Sequence, residues 1–205
     1  GRGRGSNQWL SPYGSGVCFS VIGSLSSKSS PLGLSIYCGI AIARALRDLG
    51  YAGVSLKWPN DLLHGGKKLG GILVELTSQS QDYYSFNIGV GINYDIGSDL
   101  NSMAENLFPP TDLLKINHDL SLCRSEMSGI LARTVIESLK KFNQRSIQSA
   151  FKFWPEYDAL FEKEVKIIEE NDILEGKNIG IDHTGALLLD DNGVIKKVYN
   201  GHLVI

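Results

Sequence analysis

Apolar and polar residues alternate along 16–25 (GVCFSVIGSL), which predicts a β-strand, and a serine-rich loop follows as far as Pro31. From Leu34 the period becomes helical. Leu34, Tyr37, Ala41, Ala45 and Leu49 recur at spacings of three and four, and Gly50 supplies a stop, so a helix with one buried face is expected there. Residues 52–58 (AGVSLKW), 69–76 (LGGILVEL) and 83–94 (YYSFNIGVGINY) return to strand character with turn-rich segments between them, which suggests an antiparallel sheet. Between Tyr94 and His118 there is little periodicity, and Gly97, Asn101, Asn106, Pro109 and Pro110 mark a long irregular loop of the kind that often serves function. Helical patterns resume over 121–142 and 147–154. After Pro155 short strands are expected at 163–169, 173–182, 185–190 and 194–199, with Asp190-Asp191-Asn192-Gly193 as a hairpin turn. The fold class is α/β, a mixed, largely antiparallel sheet flanked by helices, with a small all-β unit after it.

Composition narrows the function classes. With 205 residues, 42% of them hydrophobic, the chain can bury a real core. Its net charge of -2 gives no global attraction to nucleic acid or anionic membrane, but the charge is unevenly spread. Residues 1–47 hold five basic residues and no acid, whereas 156–191 hold eleven acids against three lysines, so an anion should bind toward the N-terminal part. Three widely spaced cysteines, Cys18, Cys38 and Cys123, suggest neither a disulfide framework nor a zinc site, and read as small buried hydrophobes. The four histidines are scattered and read as surface or loop residues. No apolar run reaches the roughly 18 residues of a membrane span and no signal peptide opens the chain, so no membrane partner is expected and the cytoplasm is the default location.

Candidate chemistry lies in four short stretches. The chain opens GRGRGSNQW, two arginines between glycines, either a short basic tail or a loop whose backbone can approach a ligand. KWPND (57–61) ends a strand, where Pro59 forces Trp58 to be extended and Asn60-Asp61 favours a turn, fixing Lys57, Asn60 and Asp61 together. Lys68 follows between the glycine pairs Gly65-Gly66 and Gly70-Gly71, on what reads as a turn. IGVGIN (88–93) brings Asn93 to a strand end. The familiar phosphate loops do not account for these stretches: Gly66-Lys67 lacks the spacing of a P-loop, and neither GRGRGS nor GVGINY completes G-x-G-x-x-G before a helix.

Taken in order, GRGRGSNQWLSPYGSG, KWPNDLL, KKLGGILVEL and IGVGIN resemble the catalytic domain of biotin protein ligase, from Gly1 to about Tyr157. The tail, with GIDHTGALLLDDNG, is similar to that family's SH3-like C-terminal domain. The resemblance implies domains at 1–158 and 159–205 and a catalytic fold like that of class II aminoacyl-tRNA synthetases. It implies an enzyme that joins biotin to the α-phosphate of ATP and passes the biotinyl group to a lysine of a biotin carboxyl carrier protein. Lys68 and Arg4 would then be catalytic. Arg2, Gly3, Arg4, Trp9, Lys68 and Gly71 would bind biotin, and Lys57, Asn60, Asp61 and Asn93 the nucleotide, with magnesium (Mg) near Asn60 and Asp61. The 95–117 loop would order around the adenine. Family members hold biotin with segments upstream of the glycine-arginine motif, and some carry an N-terminal helix-turn-helix that binds DNA; a homodimer is a further expectation. Three rivals stay open at this level, one of them a catalytically inactive fragment that only binds partners. A lipoate or octanoate ligase shares the fold and the acyl-adenylate, and an RNA-binding module would use the Gly-Arg segment through charge and stacking.

Overall fold

The computed structural model describes residues 1–5, 8–27, 29–97, 108–119, 122–142, 144–169 and 172–205. Two five-stranded sheets carry it. Across the first lie β1 (Gly16–Ser26), β5 (Tyr83–Asn93), β4 (Lys67–Gln79), β3 (Asp61–His64) and β2 (Val54–Lys57), and across the second β10 (His202–Val204), β6 (Glu164–Ile168), β7 (Ile173–Ile181), β8 (Leu187–Asp191) and β9 (Val194–Val198). Every ladder is antiparallel. Five helices accompany the sheets among the described residues: α1 (Leu34–Asp48), α2 (Leu113–Ile116), α3 (Arg124–Lys141), α4 (Gln144–Phe151) and α5 (Trp154–Tyr157).

Period-two patterning decides which face of the first sheet is covered. Phe86, Ile88, Val90 and Ile92 of β5 are buried, while the alternate residues Asn87, Gly89 and Gly91 face the other way. Helices α1 and α3 cover the apolar face. Of the stripe expected on α1 only Leu34 is fully buried, and the rest forms the helix's second face. Ile36, Ile40, Ala43 and Leu46 are buried, and Tyr37, Ala41, Ala45 and Leu49 are only partly so, with Tyr37 edge-on to Phe142 at 5.4 Å. A helix sandwiched between a sheet and α3 buries most of its circumference, so periodicity cannot choose between its faces. At its end Gly50 adopts φ 93, the left-handed conformation that stops a helix.

Three differences from the sequence reading bear on the site. Asp61 opens a strand, β3, whose register pairs Lys57 with Asp61 and then Asp61 with Gly71. Lys68 is strand, not turn: the turn is Gly65-Gly66, both at positive φ. The chain also adds β10 at 202–204, too short to show alternation. Cysteine placement differs as well, because only Cys38 is buried, while Cys18 and Cys123 are exposed.

The two sheets share one hydrophobic core, in which Val165, Ile167, Leu187, Leu189 and Leu203 continue the cluster built by α1 and the first sheet. Polar ties cross the junction. Ala159 N donates to Leu56 O at 2.8 Å, and Trp58 Nε1 to Gly185 O at 3.0 Å. Gly185, at φ 87, passes so close to Gly33 that an added Cβ would lie 3.0 Å from its Cα. Beneath the junction Asp158 accepts from Trp154 Nε1, Leu160 N and Asn178 Nδ2, so a buried carboxylate is met by three donors. No helix among the described residues is long and apolar enough to cross a membrane.

Candidate active site

The uncovered face of the first sheet holds a cavity of about 1150 Å³, and its shape follows from register. Cys18, Gly91 and Gly71 lie side by side across β1, β5 and β4, and Ser20, Gly89 and Leu73 form the next row. Three of the six carry no side chain, so the middle of the sheet is a trough. Over it lies the N-terminal segment. Gly1 N donates to Trp9 O at 2.7 Å and Trp9 N to Gly1 O at 3.0 Å, while Arg2 bridges to Gln8, so both ends of the Gly-Arg loop are fastened together. This geometry belongs to a built loop rather than a free tail. The Trp9 ring rests on Gly91, where a Cβ would come within 2.8 Å of it. Its Nε1 is buried without a partner among the described residues, which ordinarily costs about 1–3 kcal/mol and leaves a donor for an incoming acceptor.

The floor at the β2–β3–β4 end is a charge cluster. Asp61 Oδ1 accepts from Lys68 Nζ at 2.8 Å, and Oδ2 from Lys57 Nζ at 3.1 Å. The antiparallel register makes this pairing, because Lys57 and Asp61 face each other across β2 and β3. Burial alone would push the Asp61 carboxyl up, but the ammoniums of Lys57 and Lys68 outweigh it and hold the group below the usual carboxylate range. Burial pushes Lys57 down, against the pull of Asp61. Lys57 is only 4% exposed and also donates to Leu203 O at 3.4 Å, so its buried ammonium is compensated twice. Arg4 enters the same cavity, with its guanidinium pushed down by burial and raised by Asp61. Three cations thus gather about one carboxylate at this end of the cavity, while Glu75, 3.9 Å from Arg2, and Glu169 and Asp172 balance the charge elsewhere in the lining.

Lys68 is held by its backbone from two sides. Its N–H donates to Pro109 O at 2.8 Å and its carbonyl accepts from Thr111 N at 2.9 Å, while β3 pairs with it at Leu63. The Lys68 ammonium is 36% exposed and stands 5.9 Å from the Trp9 ring centre. Lys67, next in sequence, is exposed and lies outside the cavity.

Of the residues singled out from the sequence, Arg2, Gly3, Arg4, Trp9, Lys57, Asn60, Asp61, Lys68 and Gly71 all line the cavity. Asn93 does not. Its buried carboxamide donates to Lys68 O at 3.3 Å and Thr111 O at 2.9 Å, which makes it a brace behind the lysine. Much of the 95–117 loop, at 98–107, lies outside the described residues. Nor do the residues present fit a protein-held metal: both Asp61 oxygens are occupied by ammoniums, and no group of three ligating side chains is found among the described residues.

The lining also includes residues that sequence reasoning left in a separate unit. Ile168, Glu169, Asp172, Asn200, Gly201, His202 and Leu203 of the C-terminal sheet close one side. The only local signal was Asn200-Gly201, a turn dipeptide with no hint of where the turn would land.

Residues 1–93 match the Biotin/lipoate A/B protein ligase family and residues 160–202 match the Biotin protein ligase C terminal domain, so fold and site define the class of biotin/lipoate protein ligases. The "Bifunctional ligase/repressor BirA" of Escherichia coli K12 is 34% identical over 99% of this chain and 62% of its own length, and that of Bacillus subtilis 168 is 29% identical with the same coverage. The biotin protein ligase of Aquifex aeolicus, solved in complex with biotin and ATP, superposes with a TM-score of 0.80 at 28% identity, over 99% of this chain and 83% of that one. Over nearly its whole length the chain is similar to biotin protein ligases. It spans 62% of the length of the two curated relatives.

Proposed function

We propose that this chain activates biotin with ATP as biotinyl-5′-AMP and transfers the biotinyl group to a lysine of a biotin carboxyl carrier protein. The observation that carries this is the Arg4–Lys57–Lys68 cluster around Asp61 beneath a glycine-floored trough. Both substrates of the first step are anions. In that step a biotin carboxylate oxygen bonds the α-phosphorus while the bond to pyrophosphate breaks. In the second, the acceptor amine bonds the acyl carbon, loses a proton and expels AMP. Fixed cations held in place before the substrates arrive stabilise the charge that builds between carboxylate and phosphate.

Lys68 is the central charge in this scheme, because it is the most exposed of the cluster's two lysines and is fixed through its backbone. Arg2, Gly3 and Arg4 close over the biotinyl and phosphate groups, Trp9 covers the apolar part and offers its free Nε1–H, and Gly71 admits the ligand to the sheet. Lys57, Asn60 and Asp61 border the nucleotide, with Lys57 and Asp61 acting chiefly to set Lys68, and Asn93 acting from behind it. ATP brings any magnesium on its own phosphates. The catalytic unit is placed at 1–158 and the SH3-like one at 159–205, with the carrier protein as partner. A cytoplasmic setting and a homodimer go with the reading, and DNA only with a segment outside this sequence.

The test is pyrophosphate release from the chain with ATP and magnesium, comparing biotin, lipoate and octanoate. Release with biotin alone is expected. Release with lipoate or octanoate and not with biotin refutes the substrate.

A further inference from the structure

We propose that Asn200 is a positioning residue: with the Gly201 carbonyl it latches the Arg4 guanidinium from the C-terminal sheet, so the turn between β9 and β10 sets how firmly the Gly-Arg loop closes over the cavity. This rests on the role given above to Arg4. Arg4 Nη2 donates to Asn200 Oδ1 and Nη1 donates to Gly201 O at 3.3 Å, joining residues 196 and 197 positions apart in the chain. Two of the five guanidinium N–H groups are used, which leaves three for an anion. The contact therefore aims Arg4 without consuming it.

The acceptor side is built to stay put. Gly201 adopts φ 128, and a Cβ there would fall 2.5 Å from Ile167 Cγ2, so the turn sits flat on β6 in a conformation reserved for glycine. Two residues on, Leu203 is buried at 1% exposure, pairs in register with Ile167, and accepts from Lys57 Nζ. The turn and the strand it opens thus touch Arg4 and the buried lysine of the charge cluster respectively. Arg4 is also partly desolvated, which strengthens hydrogen bonds from its charge to neutral oxygens. Asn200 itself is exposed at the rim of the cavity, so replacing its side chain removes the acceptor without opening a buried void.

The latch is visible without turnover. In the ligand-free chain, Asn200→Ala should raise hydrogen exchange at the Trp9 amide, whose bond to Gly1 O closes the loop that carries Arg4, by about threefold to tenfold, the range for one lost hydrogen bond. Asn200→Asp, which keeps an acceptor oxygen, should restore protection. Arg4→Gly should give a similar rise, and the double variant Arg4→Gly/Asn200→Ala no further one, because both remove the same contact. Single turnover with biotin and ATP then reads the consequence: faster release of the activated intermediate in Asn200→Ala, with synthesis slowed less than about twofold. Unchanged exchange in Asn200→Ala, or additive effects in the double variant, overturns the latch. Exchange that rises as expected in Asn200→Ala and Arg4→Gly, with release unchanged in both, supports the latch and instead overturns the role given to Arg4.

Discussion

Gly91 and Gly89 lie two residues apart on β5, on the same face of the same strand, and differ in what stands above them. A Cβ at Gly91 would lie 2.8 Å from Trp9 Cε2, 2.9 Å from Nε1 and 3.1 Å from Cζ2. At Gly89 the nearest atoms are 3.8 Å and 3.9 Å away, ordinary contact. In Gly91→Ala the indole must retreat by about 0.7 Å to regain a normal carbon–carbon separation. It cannot retreat alone, because two backbone hydrogen bonds tie Trp9 to Gly1 and the loop between them carries Arg2 and Arg4. A displacement of about 1 Å at a reacting centre costs on the order of 100-fold in rate, so adenylate formation should fall by about 30- to 100-fold. The fold should not suffer, since alanine in a strand is favoured over glycine by about 0.5–1 kcal/mol. Gly89→Ala should retain activity within about threefold, in line with its open surroundings. Pyrophosphate release and thermal unfolding of both variants decide the matter. Equal activity in the two, or a fall in melting temperature that accounts for the loss in Gly91→Ala, refutes the argument that the bare floor exists to seat Trp9.

Lys68→Ala should lower single-turnover adenylate formation by about 100-fold or more while Lys67→Ala does far less; equal small effects would refute the assignment of charge to Lys68. Asp61→Asn leaves the buried Lys57 ammonium without its counter-charge and should destabilise the fold by about 3–5 kcal/mol in urea unfolding, the usual cost of breaking a buried pair from one side; an unchanged midpoint would show that Lys57 sheds its proton at no cost. Asp182, held to about 2 from the ordinary 3.8 by bonds from Thr184, Ala186 and Lys197 that overcome its burial, should contribute about 2 kcal/mol. Because the folded value is depressed, this contribution is fully present above the ordinary value and is lost as pH falls toward about 2. The stability gap between the unaltered chain and Asp182→Asn should therefore close across that window, and a constant gap would contradict the mechanism.

Local chemistry was legible in the sequence because it depends on neighbours in the chain. Alternation in 16–25 and 83–94 specifies strands with one apolar face, and Asp190-Asp191-Asn192-Gly193 specifies a turn in which Asn192 and Gly193 both adopt positive φ. The glycine-arginine opening, KWPND and the glycine pairs around Lys68 named every lysine and arginine of the cavity's lining before any geometry was known. What the sequence could not supply was register and docking. Lys57 and Asp61 meet only because β2 and β3 pair around a tight turn, and Lys68 joins them only because β4 returns alongside with the Gly65-Gly66 hairpin between. Asn93 looked like a ligand-binding residue because it ends a glycine-rich strand, yet a buried carboxamide must satisfy its donors locally, and the nearest acceptors are backbone carbonyls. The contribution of Asn200, Gly201 and Leu203 to the wall was beyond sequence reasoning altogether. Contacts between positions nearly 200 residues apart arise from burying two apolar faces in one core, and that packing leaves no periodic trace in either segment.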